Sequence, residues 1–219
     1  AGGCQGHGKY TGEHLNAARS RLDDLKSANE FQMAEQAFLA GERPSVPVRG
    51  FAGIVERPSD KPLVAAVEGA AVAGGFEIAL ACDLVVAGES ARFGLPEVRR
   101  GLVAAGGGLL RLAERIPTAI AMEWALTGAL VGAQRAFEVG LVNRLTPDGG
   151  ALDAAVELAS VIAANGPLAV RASKQILRDS SGWPVAERFD LMREISLPVR
   201  ASEDAREGAR AFTEKRPPV

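Results

Sequence analysis

The stretch that decides the fold is KPLVAAVEGAAVAGGFEIALACDLVVAGESARFGLPEVRRGLVAAGGGLLRL, residues Lys61–Leu112. Leu63–Val67 is a short apolar run with the length of a buried strand. Gly69–Gly75 indicates a turn of small residues, and the apolar run Phe76–Cys82 after it predicts a short buried helix. A second strand is expected over Leu84–Ala87. Strand, helix and strand in this order predict an α/β layered fold.

Beyond this stretch the pattern predicts further helices and one strand. The expected helices are Leu109–Arg115, Pro117–Thr127 closed by Gly128, Ala133–Val139 closed by Gly140, Ala151–Ala164, Leu168–Arg178, Glu187–Leu197 and Glu203–Lys215. The strand is expected over Leu141–Leu145. Before the stretch, Glu13–Ala40 has a helix-forming composition, and Arg43–Pro47 ends it. The chain therefore divides into an N-terminal segment 1–48, an α/β core 49–148 and a helical region 149–219.

Composition excludes several classes of protein. The 219 residues carry 25 Lys+Arg against 27 Asp+Glu, a formal charge of -2, which argues against a nucleic-acid-binding protein. Cys4 and Cys82 are too few for a disulfide framework, and with only His7 and His14 they offer no credible zinc set. No apolar run approaches the length of a membrane span, and the first residues lack a signal-peptide pattern. We expect a cytoplasmic protein with no membrane partner.

The glycines that directly precede the predicted helix Phe76–Cys82 are the first candidate for chemistry. At Gly74 and Gly75 the backbone can approach a ligand closely, with unpaired N–H groups and the positive end of the helix dipole directed outward. That arrangement can hold an oxyanion. Glu77 lies three residues after Gly74, near the same face. The alternative is structural: the glycines allow close helix–strand packing, and Glu77 caps the first turn.

Glu97 is the second candidate. It ends the segment Ala91–Glu97, where it follows a turn and precedes an apolar, glycine-rich stretch. A carboxylate in such surroundings is either a solvated loop residue or an acid or base with a tuned pKa. Together with Glu77 it forms a pair in which one carboxylate can act as base on water while the other handles a substrate proton.

The stretch Lys61–Leu112 resembles the core of the crotonase (enoyl-CoA hydratase/isomerase) superfamily. Further matches are ALTGALVGAQRAFEVGLVNRL, GPLAVRASKQIL and the terminal SEDAREGARAFTEKRPPV. The resemblance covers roughly Gly41–Val219 and keeps the order and spacing of the motifs. It implies an α/β fold with a crotonase-like ββα spiral core over 49–148 and a C-terminal helical trimerisation region over 149–219.

The resemblance also implies an activity, the reversible addition of water to a trans-2-enoyl-CoA in fatty-acid or related acyl-CoA metabolism. The chain would be a lyase, with Glu77 and Glu97 as catalytic residues and Gly74 as a backbone oxyanion donor. The implied substrate-binding residues are Leu95, Ala105, Gly106, Phe212 and Lys215. No metal or redox cofactor is implied, because CoA is part of the substrate. The implied assembly is a homotrimer or a dimer of trimers.

The sequence departs from the family pattern before position 49. The family's first oxyanion motif would fall near Asn29–Gln36, where its Ala-Gly and Asp are absent and Met33 occupies the donor position. The chain is also shorter there than typical members by several dozen residues. Further on, Ala104 and Ala105 replace the usual Pro-Gly. Two alternatives stay open: another crotonase reaction (isomerase, hydrolase or decarboxylase) and a non-catalytic acyl-CoA-binding homologue.

Overall fold

The computed structural model describes Ser45, Val46 and Val48–Pro218. The helix expected over Glu13–Ala40 and the segment Asn29–Gln36 lie outside the described residues. The described chain divides into two compact units. The first contains the residues up to Ser59 together with Leu63–Glu157, and the second contains Asp60–Pro62 and the residues from Leu158 onward.

The strands of the first unit form three small sheets within the described residues. The strands are β1 (Ser45–Val46), β2 (Gly50–Phe51), β3 (Val64–Val67), β4 (Ala70–Val72), β5 (Leu84–Gly88), β6 (Arg92–Gly94), β7 (Val131–Gly132) and β8 (Arg144–Thr146). One sheet has the order β3-β5-β8 and is parallel throughout. Another has the order β4-β6-β7, in which β4 and β6 are parallel and β7 is antiparallel. The third pairs β1 with β2.

Each turn of the chain adds one strand to each of the two larger sheets. The helices of this part are α1 (Gly74–Ala81), α2 (Gly108–Arg115), α3 (Thr118–Thr127) and α4 (Ala133–Glu138), and a 3₁₀ helix covers Pro96–Arg100. The order is therefore β3-β4-α1, then β5-β6 followed by the 3₁₀ helix and α2. This strand–strand–helix repeat places β4 beside β6 and β3 beside β5, as an α/β layered fold requires.

A core of apolar side chains joins these elements. Phe76 on α1 and Phe93 on β6 are almost fully buried, with ring centroids 5.5 Å apart. Leu112 on α2 is buried in the same cluster. Helix α1, which carries Gly74 and Glu77, is therefore packed directly against the strand that leads to Glu97.

Two sequence expectations for this unit are wrong. The turn expected over Gly69–Gly75 contains strand β4, because the segment pairs with β6: Arg92 N–H donates to the Gly69 carbonyl at 2.8 Å. The strand expected over Leu141–Leu145 begins only at Arg144. The N–H groups of Leu141 and Val142 turn back to the carbonyl of Ala136 at the end of α4, so they cannot join a sheet.

The second unit is helical. Helix α5 (Ala151–Ala163) contains the boundary between the units, and α6 (Pro167–Asp179), α7 (Arg188–Arg200) and α8 (Glu203–Thr213) follow, with a short 3₁₀ helix at Ser180–Gly182. The expected helices are thus present, although α7 continues through Pro198 instead of ending at Leu197. Across residues 45–46 and 48–218, no single helix is long and apolar enough to cross a membrane, and one bent pair, Ala151–Ala163 with Pro167–Gly182, meets that length and composition only in combination.

Candidate active site

The two candidate carboxylates lie at one edge of the sheet that contains β4 and β6. Because these strands are parallel, their carboxyl ends meet at the same edge, which is where ligands bind in open α/β sheets. Strand β4 leads through Ala73 into α1, which carries Glu77. Strand β6 leads through Leu95 into the 3₁₀ helix that carries Glu97. The fold therefore brings together residues that are 20 positions apart in the chain.

A sharp turn at Ala73 joins β4 to α1. Its φ of 52° and ψ of -126° are unusual for a residue with a Cβ, a conformation that costs of order 1–3 kcal/mol. The turn is held on both sides: Ala73 N–H donates to the Gly94 carbonyl at 2.9 Å, and the Ala73 carbonyl accepts from Phe76 N–H at 2.9 Å and Glu77 N–H at 3.0 Å. Strained backbone that the surroundings hold in place is characteristic of functional sites.

The turn leaves backbone donors at the start of α1 unpaired. Within the part of the chain that the structure describes, no group accepts a hydrogen bond from the N–H of Gly74 or Gly75. The Phe51 ring covers Gly74 so closely that a Cβ there would lie 2.8 Å from two ring carbons. A larger residue at position 74 would require this ring to move, and the N–H groups at the positive end of α1 can bind an oxyanion.

Glu77 is buried, with 5% of its surface exposed. Its Oε1 accepts hydrogen bonds from Gly106 N–H at 2.7 Å and Gly108 N–H at 3.0 Å. These donors lie at the start of α2, so the carboxylate caps a neighbouring helix and not the first turn of its own. Two N–H groups and the dipole of α2 stabilise the charged carboxylate of Glu77.

Glu97 has different surroundings. Its side chain is half-buried, and its Oε2 is shielded from solvent without a hydrogen-bond partner among the described residues. Burial raises the pKa of the Glu97 carboxyl above its ordinary value, the backbone N–H of Glu97 opposes this rise, and the negative charge of Glu77 adds to it. The structure thus gives the two carboxyl groups different surroundings: two backbone N–H groups donate to Glu77, whereas burial raises the pKa of Glu97, so that Glu97 retains its proton to a higher pH than an ordinary glutamate.

The remaining predicted site residues differ in position. Leu95 is buried in the core, and its Cδ1 would lie 3.3 Å from a Cβ on Gly108. Ala105 is exposed, and the Gly106 N–H is occupied by Glu77. Phe212 and Lys215 belong to the second unit, where both are exposed and Lys215 has a φ of 54°.

Two arginines of α2 donate hydrogen bonds to carbonyl groups of neighbouring segments. The Arg111 guanidinium donates to the carbonyl of Val55 and, at 3.5 Å, to that of Gly106. Arg115 donates to carbonyls at the end of α1. We did not predict either role from the sequence; the available signal was two arginines four residues apart in an otherwise largely apolar helix.

A cavity of about 380 Å³ opens at the same edge of the sheet. It is lined by Val72, Pro96, Arg99, Arg100 and Leu130. Val72 is the last residue of β4, and Pro96 precedes Glu97. The strand ends that position the carboxylates therefore border on space of a size suited to a small ligand.

Comparison with known proteins places this geometry in a family. The sequence model described as enoyl-CoA hydratase/isomerase matches residues 56–219. Enoyl-CoA hydratase EchA19 of Mycobacterium tuberculosis is 48% identical over 158 residues, which are 72% of this chain and 59% of that protein. Carnitinyl-CoA dehydratase of Salmonella enteritidis is 43% identical over 201 residues, covering 90% of this chain and 74% of the relative. The chain thus spans 59% of the length of the first of these relatives.

Solved structures agree with the sequence comparison. The crystal structure of enoyl-CoA hydratase EchA1 from Mycobacterium marinum superimposes with a TM-score of 0.81 at 58% identity, covering 84% of this chain and 73% of that one. This similarity confirms the crotonase-like α/β fold, and the family model confirms the resemblance noted in the sequence. The chain belongs to the enoyl-CoA hydratase/isomerase family.

Proposed function

We propose that the chain is an enoyl-CoA hydratase, a lyase that reversibly adds water to a trans-2-enoyl-CoA and gives a 3-hydroxyacyl-CoA. The observation that carries this proposal is the pair Glu77 and Glu97 at the ends of two parallel strands, beside the unpaired N–H of Gly74. Two carboxyl groups with different surroundings at one site suit the addition of a proton and a hydroxyl across a double bond.

The backbone at the start of α1 has the electrostatic role. When water adds to C3, negative charge develops on the thioester oxygen, and the Gly74 N–H would donate to that oxygen. Loss of one such donor typically costs 10²–10³-fold in rate.

The two glutamates divide the proton transfers. The Glu77 carboxylate, fixed by Gly106 and Gly108, would accept a proton from water as the water oxygen bonds to C3. Glu97, whose pKa is raised, would donate its proton to C2. The proton taken from water then returns to Glu97 through the solvent, so the sum of the steps is the addition of one water. The reaction balances without a metal or a redox cofactor.

The name carnitinyl-CoA dehydratase, which one of the relatives bears, is consistent with the proposed chemistry. Elimination of water from a 3-hydroxyacyl-CoA is the reverse of hydration, and one site serves both directions. We therefore include dehydration of a 3-hydroxyacyl-CoA as the reverse activity of this site.

The CoA moiety and the assembly are further parts of the proposal. We assign Phe212 and Lys215 to the CoA site of a neighbouring subunit in a homotrimer or a dimer of trimers. Phe212 is 87% exposed, so its ring is accessible to a ligand or to another chain. Light scattering at several concentrations tests the assembly, and a monomer at every concentration would refute it.

Kinetics of two variants test the proposed function. Glu77→Gln and Glu97→Gln keep the size of each side chain and remove its capacity for proton transfer. We expect each to lower kcat for enoyl-CoA hydration by roughly 10²–10⁴-fold, while circular dichroism shows a folded protein. Glu157→Gln is the matched control, because Glu157 lies on the surface of α5, where its carboxylate is 3.7 Å from the Arg144 guanidinium. Full activity in both site variants would overturn the proposal.

The alternatives predict different products. An isomerase would yield an enoyl-CoA with a shifted double bond, a hydrolase would release free CoA, and a decarboxylase would release CO₂. Binding of a CoA ester without turnover would indicate a non-catalytic homologue. Mass spectrometry of the products from several enoyl- and acyl-CoA esters separates these outcomes.

A further inference from the structure

Helices α1 and α2 exchange charged caps at both ends. Glu77, in the first turn of α1, accepts hydrogen bonds from the start of α2. Arg115, the last residue of α2, donates to carbonyls at and beyond the end of α1. Its Nη1 lies 3.5 Å from Ala79 O, 3.3 Å from Leu80 O and 3.0 Å from Cys82 O, and its Nη2 lies 2.8 Å from Asp83 O.

These contacts show that the two helices run side by side in the same direction. Neighbouring helices with parallel dipoles place two positive ends together and two negative ends together, which is unfavourable by itself. The Glu77 carboxylate lies between the positive ends, and the Arg115 guanidinium lies between the negative ends. Glu77 therefore offsets the repulsion between the two positive ends, and Arg115 offsets the repulsion between the two negative ends. One residue cannot do both, because an eight-residue helix is about 12 Å long.

The surroundings of Arg115 favour an arginine at this position. The guanidinium is half-buried, and burial lowers its pKa, while Cys82 and Asp83 oppose this change and Arg111 adds to it. Arginine nevertheless remains protonated at neutral pH. Its planar fork presents five N–H donors in a fixed geometry, whereas a lysine has three donors on a single ammonium group.

We propose that Arg115 is a positioning residue for Glu77. It fixes the end of α1 against α2, and thereby fixes the carboxylate at the other end of α1 against Gly106 and Gly108. Arg115 does not touch the reacting atoms. The kinetic test of this inference rests on the proposed hydratase function. The hydrogen bonds of Glu77 can be measured without a substrate and do not depend on that function.

The test uses Arg115→Met, which keeps the apolar stem and removes the donors, and Arg115→Lys, which restores the charge. Amide hydrogen exchange, resolved to single residues, measures the bonds of Glu77 directly. In Arg115→Met we expect exchange at Gly106 and Gly108 to accelerate about tenfold more than exchange at Leu112 in the same helix, because loosened α1 frees the carboxylate. Arg115→Lys should recover part of the protection.

Steady-state kinetics give the second readout. We expect Arg115→Met to lower kcat about tenfold and to change KM less than about twofold. A catalytic group displaced by 1 Å lowers the rate on the order of 10²-fold, and we expect the Glu77 carboxylate to move by less than that. Leu141→Ala is the stability control: Leu141 is buried in the same core cluster but follows α4 in the chain and belongs to neither helix. It should lower the melting temperature and leave the exchange ratio and kcat unchanged.

The outcomes are separable. Uniform acceleration of exchange along α2 in Arg115→Met, or the same selective acceleration in Leu141→Ala, would overturn the positioning role. If the wild-type protein hydrates no enoyl-CoA, the proposed function fails, and the exchange ratio alone then decides the inference.

Discussion

Gly108 lies against the side chains of Glu77 and Leu95. A methyl group added there would lie 2.8 Å from Glu77 Cγ, 3.1 Å from Glu77 Oε1 and 3.3 Å from Leu95 Cδ1. Carbon atoms in contact are ordinarily about 3.5–4.0 Å apart, so the Glu77 side chain must move by about 0.7 Å. Leu95 is 2% exposed and precedes the 3₁₀ helix of Glu97, so it offers little space for relaxation.

We therefore expect Gly108→Ala to impair both activity and stability. Catalytic groups must be held within about 0.5 Å of their productive positions. With a loss of about 10²-fold per ångström, the predicted fall in kcat for enoyl-CoA hydration is about 10- to 100-fold. Overpacking costs about 1–3 kcal/mol, and the higher helix propensity of alanine returns up to about 1 kcal/mol. The free energy of unfolding should thus fall by about 1–2 kcal/mol.

Steady-state kinetics and urea unfolding measure the two effects. Gly208→Ala is the matched control, because Gly208 lies within α8 and nothing lies within 4 Å of an added Cβ. It should leave kcat unchanged and stabilise the protein by up to about 1 kcal/mol. A Gly108→Ala protein that is folded and retains at least half of the wild-type kcat would refute the reasoning about this contact.

Three further substitutions test separate parts of the structure. The raised pKa of Glu97 means that folding favours its protonated form. The protonated carboxyl therefore contributes its full stability below the ordinary glutamate pKa of about 4.3. This stability is lost as the pH rises through the pKa that Glu97 has in the folded protein. Glu97→Gln should therefore be more stable than wild type in urea at pH 8 and lose that advantage near pH 4; an advantage independent of pH would contradict the burial argument. Ala73→Gly should raise the free energy of unfolding by about 1 kcal/mol, since relief of backbone strain of about 1–3 kcal/mol exceeds the cost of a glycine, about 0.5–1 kcal/mol; a lower melting temperature would show that the turn is unstrained. Ser202→Ala removes the side-chain cap that accepts from Ala205 N–H at 3.2 Å and should cost about 1 kcal/mol, measured by thermal unfolding, and no change would show that the cap is dispensable.

The residue pattern was sufficient to predict the helices and strands that have strong local signals. Strands β3 and β5 have apolar runs, and α3 ends at Gly128 with a φ of 61°, as the position of this glycine predicts. Strands β4 and β6 have three residues each and show no clear alternation, so they were missed. Their hydrogen bonds to each other, and not their own propensity, make them strands.

The candidate site likewise depends on contacts between segments that are distant in the chain. The resemblance placed Glu77 and Glu97 in one site, but the physical reason is the parallel pairing of β4 with β6, which the residue pattern did not predict. The partners of Glu77 are 29 and 31 positions away in the chain, and the pKa of Glu97 depends on burial by the folded chain. Such properties depend on tertiary packing, which local periodicity does not encode.

The most direct test of the proposed chemistry is the fate of water during turnover. Wild-type protein of verified intact mass is incubated with a short trans-2-enoyl-CoA in water enriched in oxygen-18 and deuterium, and the product is analysed by mass spectrometry. The account predicts a 3-hydroxyacyl-CoA that carries oxygen-18 at C3 and deuterium at C2. Binding of the CoA ester without a hydrated product, or release of free CoA in its place, would contradict the assignment of Glu77, Glu97 and Gly74 to hydration.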